Sequence, residues 1–255
     1  MTVQEMFGGH AHNYTQSAIH SSKEDLDQMV SWGSVQPQDR VLDIATGSGN
    51  VAIAFAPFVK QVVAYDLTQE MLDEVQTNCK NKAMTNITCV QGNAEELPFE
   101  DDSFDIVTLR LAMHHFFNPE IAIREIKRVL KPSGRFVFAD NFVPDDEVLD
   151  FTINKIEKLR DPSHGRCQKL GELKSLFESK GFKIVQTDVG YLTGSDDGRM
   201  DFDEWMDRIG TPPENRLELR HLFESASDDL RDAMKIIYLD GKIRLSLKRV
   251  TILAQ

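Results

Sequence analysis

At 255 residues and 41% hydrophobic content, the chain can bury one substantial core and carry insertions, and its composition excludes disorder. A net charge of −12 and a pI near 5.0 oppose the phosphate attraction that drives nucleic-acid binding, and no basic cluster offsets this locally. Cys79, Cys89 and Cys167 are too few and too scattered for a metal centre, and neither a basic leader nor an apolar run of about 18 residues is present, so a cytoplasmic protein with reduced thiols and no membrane span is expected.

Phe7, His10, His12, Tyr14 and His20 are spaced through a stretch with too few aliphatics for a core helix, so residues 1–35 read as a helical covering segment. Within it Ser21 and Glu24 form a capping-box pattern before Leu26, Met29 and Val30, which predicts a short helix stopping near Gly33. Residues 40–44 are the first predicted strand. It runs into Ala45-Thr46-Gly47-Ser48-Gly49-Asn50, where glycines let the main chain turn sharply and a ligand approach it closely. Val51, Ile53, Ala54 and Phe55 suit a helix packed on the sheet. Residues 61–66 are a second strand ending in Asp66, and Thr68 can cap a helix with Met71, Leu72 and Val75 at helical spacing. The right-handed crossover of this βαβ unit sets Asp66 beside the glycine turn.

Residues 87–91 read as strand three and residues 104–109 as strand four. Asn118 caps the next helix, Pro119 opens it, Ile121, Ile126, Val129 and Leu130 form its buried stripe, and Lys131-Pro132-Ser133-Gly134 ends it. Residues 135–140 are strand five. The alternation predicts an α/β fold built on a doubly wound parallel sheet, with ligand sites at the strand carboxyl ends and residues 36–140 as the cofactor-binding core. Residues 141–190 are expected to hold a helical cap segment, a further helix over 170–180 and strand six over 182–189. Residues 191–245 read as a helical insertion, with Asp201/Glu204 and Thr211/Glu214 as caps, and residues 246–255 as the closing strand of the core sheet.

Gly47-x-Gly49-x-x-Ala52 fits the dinucleotide-binding fingerprint, so the loop alone admits a hydride-transfer enzyme as well as other users of adenosine. The wider order of motifs is more specific. Val41-Leu42-Asp43-Ile44-Ala45-Thr46-Gly47-Ser48-Gly49, Tyr65-Asp66-Leu67-Thr68, Gly92-Asn93-Ala94-Glu95-Glu96-Leu97-Pro98-Phe99, Ser103-Phe104-Asp105-Ile106-Val107, and Glu125 through the Lys131-Pro132-Ser133-Gly134 turn follow one another at family spacing. Together they resemble the class I S-adenosylmethionine-dependent methyltransferases and, within them, the ubiquinone and menaquinone biosynthesis C-methyltransferase group. Two positions depart from that pattern: Asn93 stands where Asp is frequent, and Ser133-Gly134 where Gly-Gly is.

The resemblance implies a seven-stranded, mostly parallel Rossmann-like sheet with helical cap insertions, S-adenosyl-L-methionine as cofactor, and direct displacement of its methyl group by a small-molecule acceptor. It implies Asp66 on the ribose diol, Asp43 supporting the loop, and the main chain at Ala45, Gly47 and Gly49 against the methionine end. Leu67 and Met71 would sandwich adenine, with plain core packing as the other reading of Met71, and Asn93 and the Ala94 amide would lie at its edge. Arg110 has two readings, toward the cofactor carboxylate or in a salt bridge with Asp43 or Asp140. His114 and His115 lie near the expected transfer point, as proton acceptors or as hydrogen-bonding groups at a helix start. His164 is the preferred substrate-side base or hydrogen-bond donor, provided the cap folds over the site, with a structural role in its turn as the other reading. Tyr14 and His10 either close over the cofactor or belong to a disordered or merely packed end. Phe151, Trp205, Met206, Leu222 and Phe223 offer an apolar substrate wall or ordinary core packing. The chemistry calls for no metal. The rivals are an NAD(P)-dependent oxidoreductase, which does not account for Asn93-Ala94 and residues 131–134, and a cofactor-binding protein that acts through partners without transfer.

Overall fold

A computed structural model describes residue 4, residues 22–192 and residues 199–255; Tyr14, His10 and Ser21 lie outside these. Helix α1 (Lys23–Gly33) starts at Ser22, whose side chain accepts from the Asp25 amide. The core then alternates: β1 (Arg40–Ile44), α2 (Asn50–Phe55), β2 (Gln61–Asp66), α3 (Gln69–Asn81), β3 (Ile87–Gln91), β4 (Phe104–Arg110), α4 (Pro119–Val129) and β5 (Leu130–Asn141). Asn118 caps α4 as its sequence predicts, accepting from the Ile121 amide at 3.3 Å. β5 begins earlier than expected, because Leu130 already pairs with Phe104 and a register shift absorbs the residues before Arg135.

After β5 come α5 (Glu147–Arg160), α6 (Leu170–Ser179), β6 (Ile184–Tyr191), β7 (Met200–Asp201), α7 (Phe202–Asp207), α8 (Pro213–Glu224), α9 (Asp228–Ala233), β8 (Ile237–Leu239), β9 (Lys242–Leu245) and β10 (Lys248–Ala254). The main sheet has the order β3-β2-β1-β4-β5-β10-β6, with β10 antiparallel to both its neighbours and the other pairs parallel. A dinucleotide-binding sheet of six strands ordered 3-2-1-4-5-6 has no such reversed strand between its fifth and sixth.

Both faces of the sheet are buried. Leu42, Ile44, Phe136 and Phe138 pack on one side, and Val41, Val62, Phe55 and Met29 on the other. Residues 191–245 are not uniformly helical: β7, β9 and β8 form a small antiparallel sheet among the helices. Strands of two to four residues are too short to show a period in sequence. Asp201 does cap α7, whereas Thr211 does not cap α8; its hydroxyl donates instead to the Arg160 carbonyl oxygen at 2.9 Å.

The cap closes on a core of its own. Phe202, Trp205, Met206 and Phe223 are buried together, with Phe202 and Phe223 ring centroids 4.7 Å apart. Of the residues offered as a substrate wall, Trp205, Met206 and Phe223 are therefore spent on internal packing and Phe151 is exposed to solvent. The core reading of those aromatics is the one realised.

Candidate active site

A cavity of about 260 Å³ opens at the carboxyl ends of β1, β2 and β4. Its floor is the loop after β1, which bends through Ala45 (φ 50°), Gly47 (φ 54°) and Gly49 (φ 85°). Ala45 is held in a region that a side chain disfavours, a cost of order 1 kcal/mol that the surrounding bonds must cover. Asp43 supplies those bonds: it accepts from Thr46 Oγ1 at 2.5 Å, Thr108 Oγ1 at 2.7 Å and the Ala52 amide at 3.1 Å. Gly49 does not line the cavity. A Cβ there would sit 3.0 Å from Val75, so the glycine lets α3 pack against the loop.

Asp66 stands across the floor. One carboxylate oxygen accepts from the Gly47 amide at 2.9 Å and the other from the Thr68 amide at 3.0 Å, and the Thr68 hydroxyl and the Leu67 amide also favour the charged carboxylate. Burial raises the pKa of Asp66 and pushes that of Asp43 up to about 6 against its three hydrogen bonds. The folded state thus holds a proton on Asp43 at pH values where the unfolded chain has lost it, so this group's contribution to stability declines as pH rises from about 4 to 6. Urea unfolding of the wild type and Asp43→Asn should show the wild type losing ground by up to about 3 kcal/mol over that window. Parallel pH curves would contradict the assignment.

Leu67, Met71, Asn93 and Ala94 line the end nearest β2 and β3. The Asn93 side-chain oxygen accepts from the Glu95 amide at 3.0 Å, so it first shapes its own turn. Glu95 Oε1 in turn accepts from the Asn118 amide at 2.7 Å, drawing the segment after β4 over the cavity. Phe116 and Phe117 line its rim, and Phe117 is 97% exposed. Sequence reasoning missed Glu95, Phe116, Phe117 and Leu111, the last at φ 53°; only the fold brings this segment back over residues 93–95.

Arg110 and His115 line the β4 end, while His114 and His164 do not reach the cavity. Arg110 is buried, and its Nη2 lies 3.4 Å from Asp25 on α1, a partner other than the Asp43 or Asp140 its sequence position suggested. The three histidines cluster, with ring centroids 4.3 to 6.2 Å apart. Gly165 and Arg166 amides donate to the His114 carbonyl oxygen at 2.9 and 3.1 Å, and a Cβ at 165 would lie 2.8 Å from that oxygen. This zips the turn after α5 to the loop after β4.

Each imidazole has a different setting. Burial opposes a charge on His114, but the Asp140 carboxylate 2.7 Å from Nδ1 outweighs it and raises the pKa. His115, with Asp161 Oδ2 3.6 Å from Nε2, is pushed down to about 3 by burial and by the neighbouring His114 charge. His164 is 1% exposed and pushed down to about 2 by burial and by both other histidines. Asn154 Nδ2 donates to Asp150, which leaves its Oδ1 as the acceptor facing His164 Nε2 at 3.2 Å. His164 is thus a neutral Nε2 donor to Asn154 inside the protein, outside the cavity lining.

A methyltransferase-domain family model matches residues 42–138. Over 236 residues the chain is 36% identical to the uncharacterized methyltransferase YcgJ of Bacillus subtilis, covering 92% of this chain and 91% of that one. The chain belongs to the class I S-adenosylmethionine-dependent methyltransferases. This methyltransferase matches the crystal structure of YcgJ with a TM-score of 0.82 at 35% identity, over 91% of this chain and 97% of that one. It is also 37% identical to YafE of Escherichia coli over 72% of this chain and 86% of that one. Likeness to the ubiquinone/menaquinone biosynthesis C-methyltransferase UbiE of Shewanella frigidimarina, at 34% identity, covers 47% of this chain and 49% of that one.

The cofactor of the methyltransferase is S-adenosylmethionine, and the cavity fits it. An acid ends β2, apolar Leu67 and Met71 stand nearby, and Arg110 is the only arginine or lysine among the described lining residues. The Gly47 amide, which a dinucleotide enzyme would turn to pyrophosphate, is taken by Asp66. With β10 reversed in the sheet, this removes the oxidoreductase rival. Among the described residues no helix is long and apolar enough to cross a membrane.

Proposed function

We propose that this methyltransferase acts on a small, largely apolar acceptor seated at the β4 end of the cavity. The observation that carries the reading is the character of the wall there: Leu111, Ala112, Phe116 and the ring of His115 line that end of the cavity, beside the part that the cofactor would fill. On this reading Asp66 takes the ribose diol, Leu67 and Met71 flank adenine with Asn93 and Ala94 at its edge, and Arg110 meets the carboxylate of the amino-acid end. The loop from Ala45 to Gly47 runs beneath that end.

The bound cofactor supplies an electrophilic methyl group on a sulfonium, so the protein's task is alignment and exclusion of water. His115 stays neutral on the wall, where its ring orients the acceptor by contact and hydrogen bonding. His114, hydrogen-bonded to Asp140, backs that ring from outside the cavity. Likeness to UbiE over slightly less than half of each chain supports a carbon acceptor as the first to test.

Incubation with methyl-labelled cofactor and a panel of low-mass acceptors, including hydroquinones and phenols, alongside protein and transfer RNA, tests this. Label is expected in the organic-extractable low-mass fraction. Label confined to the macromolecules would overturn the small-acceptor reading.

A further inference from the structure

The methyltransferase core begins at β1, yet the cation at the cavity wall is held from outside that core. Asp25 lies on α1 and packs between two guanidinium groups: its Oδ2 is 3.4 Å from Arg110 Nη2 and its Oδ1 is 3.3 Å from Arg249 Nη1 on β10. All three side chains are largely withdrawn from solvent, so each charge depends on its partner. One turn further along the same face of α1, Gln28 accepts from Arg249 Nη1 at 3.0 Å and from Thr251 Oγ1 at 3.1 Å, and donates to Asp188 at 3.0 Å. The helix is thereby keyed to β10 and β6 at one end of the network and to Arg110 at the other.

We propose that Asp25 is a positioning residue for cofactor recognition: it sets the Arg110 guanidinium at the cavity wall, where Arg110 receives the carboxylate of the cofactor's amino-acid end. This rests on the reading of Arg110 given above. Arg110 makes the last pairing of β4, with Ala139, and its long side chain has many rotamers that its backbone position does not choose among. A carboxylate anchored on α1 at fixed depth selects among them. Arg249 and Gln28 hold Asp25 and its helix in register, so Asp25 itself does not swing into the cavity. The cofactor's carboxylate then meets a cation already oriented, and the adenosine end, bound across the loop near β2, does not depend on the pair.

The test compares two ligands with and without the amino-acid end: S-adenosylhomocysteine and 5′-methylthioadenosine, titrated calorimetrically into the full chain. The wild type is expected to prefer S-adenosylhomocysteine at least ten-fold. Asp25→Asn should weaken S-adenosylhomocysteine about ten-fold and leave 5′-methylthioadenosine within two-fold. An equal fall for both ligands would show Asp25 to be a support of the fold only. Tighter S-adenosylhomocysteine binding would show it to be a competitor for Arg110, and either result overturns the proposal. Should Asp25→Asn not fold, Asp25→Glu, which keeps the charge but shifts it by one methylene, is expected to lower the preference about three-fold, and an unchanged preference overturns the proposal. A wild type that binds both ligands equally removes the proposal while leaving the cofactor site standing; one that binds neither removes the site assignment as well.

Discussion

Asp66→Ala is expected to weaken S-adenosylhomocysteine binding roughly a hundred-fold while moving the thermal midpoint by only a few degrees. The binding loss has two sources. The carboxylate takes the amides of Gly47 and Thr68, so it shapes the loop, and on the present reading it also receives the ribose diol. Hydrogen bonds to a charged acceptor contribute about 1.5–3 kcal/mol each, and losing the equivalent of two net bonds amounts to about 3 kcal/mol, or two decades in affinity. Stability changes less because burial already penalises the charged form of Asp66, as its raised pKa shows, and alanine removes that penalty together with the bonds. Calorimetric titration beside a melting curve separates the two effects. Undiminished affinity in a folded variant would take Asp66 out of the site.

Gly92→Ala should destabilise the protein by about 3 kcal/mol and disturb the adenine end of the cavity at the same time. A Cβ at position 92 would lie 2.0 Å from Tyr65 Oη and 2.6 Å from its Cζ, closer than any tolerable contact. Tyr65 cannot give way freely: its ring is buried, packs edge-on against Phe99 at a centroid distance of 5.6 Å, and its hydroxyl donates to the Asn93 carbonyl oxygen at 3.1 Å. Moving the ring therefore moves residues 93–95. For a chain of this size the expected loss corresponds to a melting temperature lower by about 6–12 °C. Tyr65→Phe removes the nearest clashing atom, so in the double variant part of that loss should return. Strictly additive effects would show that the two side chains do not contend for the same space.

The parts of the site that could be read from sequence are those built by consecutive residues. The run from an apolar strand into Ala45-Thr46-Gly47-Ser48-Gly49 dictates its own turn, and the positive φ values at both glycines are those expected of residues without Cβ atoms. Asp66 could be placed because strand two ends on it and a right-handed crossover leaves one position for that end. Asp43 likewise supports the loop that follows it within nine residues. What failed were inferences about who meets whom across the chain. Nothing local says that Arg110 will find Asp25, 85 residues earlier. His164 sits in a polar turn whose sequence names no partner, and only the fold buries it beside Asn154 and the loop zipped at His114.

The cap shows the same division. Its aromatics carry the pattern of buried residues, and buried they are, but sequence periodicity gives only which face of a helix seeks apolar company. It does not choose between a substrate and another helix. Phe202, Trp205 and Phe223 chose one another, because three mutually packed rings release more water than a wall kept open for a ligand. The sequence by itself thus determined the sheet, the glycine turn, the strand-end acid and the methyltransferase family, all of which follow from contacts a few residues long or from their fixed order. Tertiary structure alone decided which side chains share the cavity: it carried Phe116 and Phe117 over the rim, set Asp25 behind Arg110 and withdrew His114 and His164. Those outcomes depend on long-range packing and on pairing buried charges.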